Sequence, residues 1–307
     1  MTIFFYPGVI YYFRMMQEQT LYSRGGIITE RDADYATVRV RIPAGVLSAA
    51  QVRQLGKISE KYGDGTLHLT MRQTLEIPHV KPENFEKIAK ALEKNGTPLG
   101  AEQNEVVNIM ACPGTERCKY ANCETIDLAR KIDERVFGKV LAIRLRIAIS
   151  GCPYMCNSPL LNDIGVIGRI RPLRIPGLCT GCGTCVEYCK QHAIALKNGV
   201  SVLDESKCVQ CGVCIHSCPY QLLKSEYDHY QITVGGRRGA SPAVGRELVT
   251  VETAEEVVEV VERIVYWVYR SAWSGRPLAD QMDEIGYDAF AEGIRKEFGP
   301  KPAEEKQ

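Results

Sequence analysis

The chain has 307 residues, enough for one large domain or two of ordinary size. With 45% hydrophobic and 24% charged residues, it has the composition of a folded globular protein. Lys and Arg number 38 against 37 Asp and Glu, and the formal net charge of +1 excludes a general electrostatic attraction to nucleic acid or membranes. Any anion site must therefore be local.

The sequence contains no candidate membrane span. No apolar run reaches the roughly 20 residues that a spanning helix needs, and the apolar stretch 3–13 is interrupted by Pro7 and Gly8. That stretch also lacks the basic flank of a secretion signal. We therefore expect a cytoplasmic protein of anaerobic metabolism.

The first third of the chain alternates strand and helix patterns. Residues 1–30 are expected to form an N-terminal arm. After the alternating segment 38–42, a capping-box pattern predicts a helix over 48–62. A strand follows over 68–77, and a proline begins a second helix over 82–93. This β-α-β-α order predicts a small α+β sandwich.

Two cysteine pairs follow buried segments. Cys112 and Cys118 are spaced C-x5-C, and Cys152 and Cys156 are spaced C-x3-C. Each pair comes after an apolar stretch, 106–110 or 141–149, and the alternation in the second stretch predicts a strand with one polar face. A helix is expected between the pairs over 124–136. Four cysteines suffice for one iron–sulfur cluster, and buried free thiols are the alternative. The remaining cysteine, Cys123, is expected to be an inert structural thiol.

The next eight cysteines form two copies of the spacing C-x2-C-x2-C-x3-C, which is typical of bacterial two-cluster ferredoxins. In such proteins the fourth cysteine of each run ligates the other cluster. One predicted [4Fe–4S] cluster is therefore held by Cys179, Cys182, Cys185 and Cys218. The other is held by Cys208, Cys211, Cys214 and Cys189. Two zinc sites are the alternative, but they do not explain the internal repeat.

The C-terminal part contains one long amphipathic helix. A second capping-box pattern begins it, and its valine face predicts a helix over 253–270 that packs into the core. Glutamates fill its other face, which argues against a membrane role. Residues 296–307 are charged and are expected to form a loose tail.

These motifs resemble the siroheme/[4Fe–4S] nitrite and sulfite reductase family, and within it the anaerobic, dissimilatory-like sulfite reductases with an inserted two-cluster ferredoxin domain. The resemblance rests on the C-x5-C and GCP-x2-C motifs and on their surroundings. Those surroundings are RVRIPAG, TMRQTLEI, DIGVIG and YQITVGG, and the resemblance covers roughly residues 27–295.

The resemblance implies an α+β fold with a ferredoxin-like lobe, a siroheme/[4Fe–4S] lobe and an inserted 2[4Fe–4S] bacterial-ferredoxin domain. The expected divisions are an arm (1–30), the ferredoxin-like lobe (31–96), the siroheme lobe (97–171 and 228–295), the insert (172–227) and the tail (296–307). Expected cofactors are siroheme and three [4Fe–4S] clusters. The third cluster would be held by Cys112, Cys118, Cys152 and Cys156, and in that family the last cysteine also bridges to the siroheme iron.

Family members also surround the siroheme carboxylates and the oxyanion substrate with cations and hydrogen-bond donors. The resemblance implies cofactor contacts from Arg39, Arg41, Thr70, Arg72, Gln73 and Asn108, besides Cys156. It implies substrate contacts, and hence catalytic roles, for Arg72, Arg144 and Arg146. Without the resemblance, the alternating Arg39 and Arg41 would fit the solvated face of an edge strand equally well.

The sequence departs from the family pattern at three places. Arg144 and Arg146 replace a Lys-x-Lys pair, Val107 stands where an arginine is common, and Tyr154 replaces a common asparagine. These departures leave the substrate open. The leading interpretation is the six-electron reduction of sulfite to sulfide, with electrons entering through the inserted clusters. A siroheme nitrite reductase and a non-catalytic electron-transfer subunit are the alternatives.

The sequence also indicates partners. It contains no glycine-rich dinucleotide-binding fingerprint, so a separate electron-donor protein or subunit is expected. In the family that the sequence resembles, enzymes with a complete siroheme site often contain two copies of the lobe pair, and this sequence shows one. We therefore expect an oligomer, either symmetric or assembled with a partner subunit, that supplies missing cations across an interface.

Overall fold

The computed structural model describes residues 25–175 and 179–299. The α-helices are α1 (Ala49–Tyr62), α2 (Phe85–Lys94), α3 (Thr125–Val136), α4 (Thr184–Tyr188), α5 (Val213–Ser217), α6 (Ala254–Ser271) and α7 (Tyr287–Phe298). The strands are β1 (Ile27–Thr29), β2 (Ala36–Val40), β3 (His68–Leu69), β4 (Leu75–Val80), β5 (Met110–Ala111), β6 (Ile147–Ser150), β7 (Ile164–Arg174), β8 (Ile194–Lys197), β9 (Val200–Leu203), β10 (Leu223–Val234) and β11 (Arg246–Val251). The mixed fold of helices and strands predicted from the sequence is confirmed.

The N-terminal lobe is an antiparallel sheet in the order β1-β2-β4-β3, with the apolar faces of α1 and α2 packed on it. The α1 helix begins as predicted, because Ser48 Oγ accepts the backbone N–H of Gln51 while the Gln51 side chain accepts that of Ser48. The strand β1 already pairs with β2 from Ile27 onward, so the last residues of the expected N-terminal arm belong to the sheet. The arm up to residue 24 lies outside the described residues.

The central lobe is a five-stranded sheet in the order β11-β10-β7-β6-β5. Here β5, β6 and β7 run parallel, whereas β10 is antiparallel to both β7 and β11. The buried faces of α3, α6 and α7 share one core with this sheet. The predicted helices over 124–136 and 253–270 are confirmed as α3 and α6, the latter with a capping box between Thr253 and Glu256. The last helix, α7, continues to Phe298, into the segment expected to be a loose tail.

The strand expected over 141–149 is shorter than predicted. Only β6 is regular, and Leu145 makes an isolated bridge to Val106 instead. Because β5 and β6 are parallel neighbours, the segments that follow them leave the sheet at the same edge. These segments carry Cys112 and Cys152.

The segment with the two cysteine runs connects two long paired strands, β7 and β10. The pairing of β7 with β10 continues to Arg174 and Leu223, so both strands extend beyond the expected limits of the insert at 172 and 227. We call residues 175–222 the insert. It contains α4, α5 and the β8–β9 hairpin. Across the described parts of the chain, no helix combines the length and apolar character needed to cross a bilayer.

Candidate functional site

Four of the five predicted arginines lie together where the two lobes meet. Arg39 extends from β2, Arg72 from the loop before β4, and Arg144 from the segment before β6. All three form ion pairs with one carboxylate, that of Glu102, at 2.7 Å from Arg72 and 3.0 Å from Arg144. The fourth arginine, Arg146, lies close enough to affect the titration of both Arg72 and Arg144. The predicted substrate arginines are thus neighbours in space.

This arginine cluster has guanidinium N–H groups that are available to bind an anion. Burial, with the charges of Arg39, Arg144 and Arg146 adding to it, lowers the pKa of Arg72 to about 9. Among the described residues, Arg72 Nη1 and Arg144 Nε are buried with no hydrogen-bond partner. Unsatisfied buried donors are costly, and guanidinium groups bind carboxylates and oxyanions through paired N–H groups. The donor set therefore fits the carboxylates of an anionic cofactor or an oxyanion substrate.

Arg146 is held by a buried carboxylate. Its backbone N–H donates to Asp163 Oδ2 over 2.9 Å, and its guanidinium Nη1 lies 3.6 Å from the same oxygen. Burial raises the pKa of Asp163 to about 6, although the N–H and the charge of Arg146 oppose the shift. Asp163 directly precedes β7, so this contact ties the segment before β6 to the start of the next strand.

Three further predicted residues fix the loop that carries Arg72. The Gln73 side chain accepts from the backbone N–H of Ala111 over 2.8 Å and donates to its carbonyl oxygen over 2.7 Å. Asn108 Nδ2 donates to the carbonyl oxygen of Arg72 over 2.8 Å, and Thr70 Oγ1 accepts the backbone N–H of Arg72 over 3.3 Å. These bonds hold the loop against β5, immediately before Cys112. Contact of these residues with a cofactor stays a prediction.

Arg41 lies elsewhere. Its Nε donates to Asp133 Oδ2 over 2.9 Å, and its guanidinium carbon lies 4.3 Å from the centre of the Phe137 ring. The strand β2 ends at Val40, so the alternation that would place Arg41 beside Arg39 stops one residue too early. The structure does not bring Arg41 into the arginine cluster, and its predicted role as a cofactor contact is untested.

The two isolated cysteine pairs come together at the carboxyl edge of β5 and β6. The backbone N–H of Gly151 donates to Cys112 Sγ over 3.1 Å, which joins the two cysteine loops. Burial raises the pKa of Cys152, and Cys112, Cys118 and Cys156 lie near enough to contribute to that shift. The other three thiols predicted for this cluster therefore lie near Cys152. We call these four cysteines the inner site.

Cys123 lies beside the inner site but is enclosed by protein. Burial raises the pKa of its thiol to about 12, with Cys112 and Cys152 adding to the shift. A Cβ built on Gly168 would lie only 2.5 Å from Cys123 Sγ, so this glycine of β7 makes room for the thiol. Such a thiol is poorly ionised, which agrees with the expectation of a structural cysteine.

The two cysteine runs of the insert have the same backbone geometry. Gly183 and Gly212 take left-handed conformations at the starts of α4 and α5. Gly181 and Gln210 occupy equivalent positions, and both have positive φ, 69° and 58°. The spacing repeat noted in the sequence is therefore also a structural repeat.

The fourth cysteine of each run lies near the other run. One cavity is lined by Cys179, Cys182 and Cys185 together with Cys218. Burial raises the pKa of Cys214 to about 12, and among the neighbouring thiols that add to this shift is Cys189. Each fourth cysteine therefore lies near the thiols of the other run, as the spacing predicts. That these thiols ligate clusters stays a prediction.

Backbone N–H groups point at several of these sulfurs. Ala193 donates to Cys189 over 3.3 Å, and Leu222, at the equivalent position, donates to Cys218 over 3.3 Å. Such N–H···S bonds stabilise thiolates and tune iron–sulfur centres. Among the described residues, no group of three or more His, Cys, Asp or Glu side chains is arranged to hold a single metal ion.

Sequence reasoning missed two acidic partners. Glu102 gathers three arginines but stands alone in a loop, with no motif around it. Asp163 was noted only as part of the DIGVIG segment, and its contact with Arg146 depends on the register of β6 against β7. Val107, the position of the missing family arginine, is fully buried, and its backbone N–H donates to the carbonyl oxygen of Leu145 over 3.1 Å.

Comparison with known proteins matches the two lobes to two domain models of one protein family. The family model described as the nitrite/sulfite reductase ferredoxin-like half domain matches residues 28–95. The model described as the nitrite and sulphite reductase 4Fe-4S domain matches residues 102–302. The chain therefore belongs to the nitrite and sulfite reductase family and is an oxidoreductase of that class.

Individual relatives agree with this assignment. One subunit of the anaerobic sulfite reductase of Salmonella typhimurium is 32% identical over 282 residues, covering 84% of this chain and 83% of that protein. The coenzyme F420-dependent sulfite reductase of Methanocaldococcus jannaschii is 30% identical over 275 residues, covering 89% of this chain and 44% of that protein. A crystal structure of dissimilatory sulfite reductase I superposes with a TM-score of 0.71 at 18% identity, over 89% of this chain and 71% of that one. At that identity the last likeness shows the fold alone.

Proposed function

We propose that this protein reduces sulfite to sulfide with siroheme and three [4Fe–4S] clusters. The observation that carries the proposal is the arginine cluster, whose buried donors at Arg72 and Arg144 have no partner among residues 25–175 and 179–299. The loop that carries Arg72 is anchored directly before Cys112. Cationic donors beside a four-cysteine site are what an anionic cofactor and an oxyanion substrate require. The sulfite reductases among the relatives support the choice of substrate.

The proposed ligand sets are those expected from the sequence, and the proximity of the thiols supports them. Cys112, Cys118, Cys152 and Cys156 would hold the inner cluster, and Cys156 would also contact the siroheme iron. The sets of the insert are Cys179, Cys182, Cys185 and Cys218, and Cys208, Cys211, Cys214 and Cys189. The division into two lobes and a ferredoxin insert is also part of the proposal. The insert connects β7 to β10.

Siroheme and its cluster, when bound, would pass electrons from the donor protein to the substrate. Hydrogen sulfite takes up six electrons and six protons and gives hydrosulfide and three water molecules. The protein's arginines do the remaining work. Arg144 and Arg146 hold the anion and stabilise the negative charge that grows on oxygen as S–O bonds break. Arg39 and Arg72, which are buried more deeply than Arg144, neutralise carboxylates of the cofactor, and Arg72 also contacts the substrate. A guanidinium keeps its protons at neutral pH, so protons must arrive from water.

Nitrite is the second candidate substrate. The same guanidinium groups bind either anion, and the buried Val107 leaves the site one cation short of the common family pattern. Direct competition separates the two candidates. With one electron donor and both anions present, we expect sulfide formation to have the higher kcat/KM, whereas preferential ammonia formation would make the chain a nitrite reductase.

The remaining proposals concern the cellular setting. A separate protein or subunit is proposed to donate electrons, and an oligomer is proposed because relatives include a protein named as a subunit. Cytoplasmic location is likewise a proposal. Pull-down from anaerobic cells, followed by a test of whether the captured protein reduces the clusters, checks the first of these proposals.

A further inference from the structure

We infer that the second cysteine run is docked on the inner site, and that Asn122 and Tyr154 form the junction that fixes the separation between the two ligand sets. The first run would then be the distal one. This inference rests on the proposed function, because it takes the three cysteine sets to hold clusters. It adds the order in which the sets stand and the residues that hold them there.

Asn122 connects the two ligand sets directly. Its backbone N–H donates to the carbonyl oxygen of Gly151, the residue before Cys152, over 2.6 Å. Its side-chain Nδ2 donates to the carbonyl oxygen of Cys211, in the second run, over 3.5 Å. One residue thus contacts the backbone of both ligand loops, so its loss would loosen the spacing between them.

The backbone of the second run lies against β7. The N–H of Ile170 donates to the carbonyl oxygen of Gln210 over 2.9 Å, and Ile170 forms a parallel bridge with Cys211. A Cβ built on Gly212 would lie 2.3 Å from Ile170 Cγ2 and 3.1 Å from Asn122 Oδ1. Only glycine allows this approach. The second run is therefore packed on the central lobe and not merely tethered to it.

Tyr154 supports the loop that carries Asn122. It follows Cys152 in the sequence CPY, and its ring packs edge-on against Tyr120 with centroids 5.9 Å apart. Tyr120 lies two residues before Asn122, so this ring contact joins the loop of Cys152 to the loop of Asn122. Tyr154 is 43% exposed, so it lies at the edge of the junction.

The first ligand set is enclosed by the insert itself. Every residue that lines the cavity of Cys179, Cys182, Cys185 and Cys218 falls between Arg174 and Leu223, within the insert and the strand ends that carry it. A second CPY sequence ends the second run at 218–220, and its Tyr220 is 55% exposed and lines this cavity. Tyr220 is therefore a matched control for Tyr154, because it follows a proposed ligand by the same two residues but lies outside the junction.

The test is magnetic and needs no turnover. The full-length protein is loaded with iron and sulfide and reduced anaerobically with titanium(III) citrate, and spin–spin interaction between clusters is measured by electron paramagnetic resonance. Two backgrounds are compared. In Cys179→Ala/Cys182→Ala, the second run and the inner site remain, and we expect their signals to be split by mutual interaction. In Cys208→Ala/Cys211→Ala, the first run and the inner site remain, and we expect no splitting.

The junction variants are then made in the first background. Asn122→Leu and Tyr154→Leu should lose the splitting with iron and acid-labile sulfide unchanged, and Tyr220→Leu should keep it. Splitting in the second background but not in the first would overturn the inference, as would full splitting in both junction variants. A protein that shows the expected splitting but forms no sulfide would contradict the proposed function and leave the junction standing. Failure of the wild-type protein to take up clusters would overturn both.

Discussion

Arg72 Nη2 lies 2.7 Å from each carboxylate oxygen of Glu102. The same carboxylate pairs with Arg39 and Arg144, so the arginine cluster already contains one negative charge from the protein itself. A carboxylate in this position holds the guanidinium groups together before any external anion arrives. It also competes with that anion for their N–H groups.

Replacing the carboxylate of Glu102 should therefore lower the stability of the folded protein and strengthen its binding of external anions. We expect Glu102→Gln to unfold more easily, by about 3 kcal/mol, because it leaves buried cations without their partner. Sulfate or phosphate should restore part of this loss by binding the arginines. Thermal melts of the cofactor-free protein in sulfate and in chloride, at matched ionic strength, measure both effects.

Glu292→Gln is the control for this measurement, because its carboxylate makes only an exposed pair with Lys296. It should leave the melting temperature nearly unchanged in either salt. Equal stabilisation of the wild type and Glu102→Gln by sulfate would show that Glu102 does not compete with anions.

The substrate arginines should affect turnover more than cofactor content. We expect Arg144→Ala and Arg146→Ala each to lower sulfite reduction on the order of 10²-fold, as for other preorganised donors at sites of developing charge. Siroheme and iron content should stay near wild type. If the variants instead lose siroheme in proportion to activity, these side chains neutralise the cofactor carboxylates and do not act on substrate. Arg263→Ala, in an exposed pair with Glu297, is the surface control.

Asp163 should make stability depend on pH in the acidic range. Its pKa is raised from 3.8 to about 6 in the folded protein, so the folded state holds this proton more tightly than the unfolded chain does. Its stabilising contribution is complete below the unfolded pKa and is lost as the pH rises through about 6. Asp163→Asn removes the titration but keeps an acceptor for the N–H of Arg146.

Urea unfolding of the cofactor-free protein between about pH 4 and about pH 7 tests this expectation. Over that interval the free energy of unfolding of the wild type should fall by about 2 kcal/mol relative to the variant, most of what the shift corresponds to. Parallel pH profiles for the two proteins would mean that Asp163 stays ionised throughout.

Cys156 and Cys123 should behave in opposite ways. Cys156→Ser should remove activity and the electronic coupling between the inner cluster and siroheme, because Cys156 is the proposed shared ligand. Cys123→Ser should keep both, since the wild-type thiol is buried and poorly ionised. Absorption and electron paramagnetic resonance spectra of the two variants provide the comparison. An essential Cys123 with a dispensable Cys156 would refute the ligand assignment.

Local patterns predicted much of this protein. The capping boxes at Ser48 and Thr253 are satisfied within three residues, so they can be read without knowledge of the fold. The cysteine spacing of the insert is local in the same way, and the structure repeats it in both runs. The limits of the insert were less predictable, because the pairing of β7 with β10 joins residues far apart in the sequence.

In the candidate site, too, residues in local motifs were predictable and contacts between distant segments were not. The resemblance found Arg39, Arg72, Arg144 and Arg146, because each lies in a recognisable motif. It did not find Glu102, because this residue contacts Arg39, Arg72 and Arg144 only once the two lobes are folded together. Arg41 shows the limit of alternation, since the strand ends before it and Asp133 of a distant helix takes the guanidinium.

The most direct test of the central claim is the cofactor content of anaerobically purified protein. Siroheme, iron and acid-labile sulfide are measured together on one sample. We predict about thirteen iron atoms and about twelve sulfides for each chain, with a siroheme absorption band. About eight irons without a siroheme band would contradict the account and leave an iron–sulfur electron carrier.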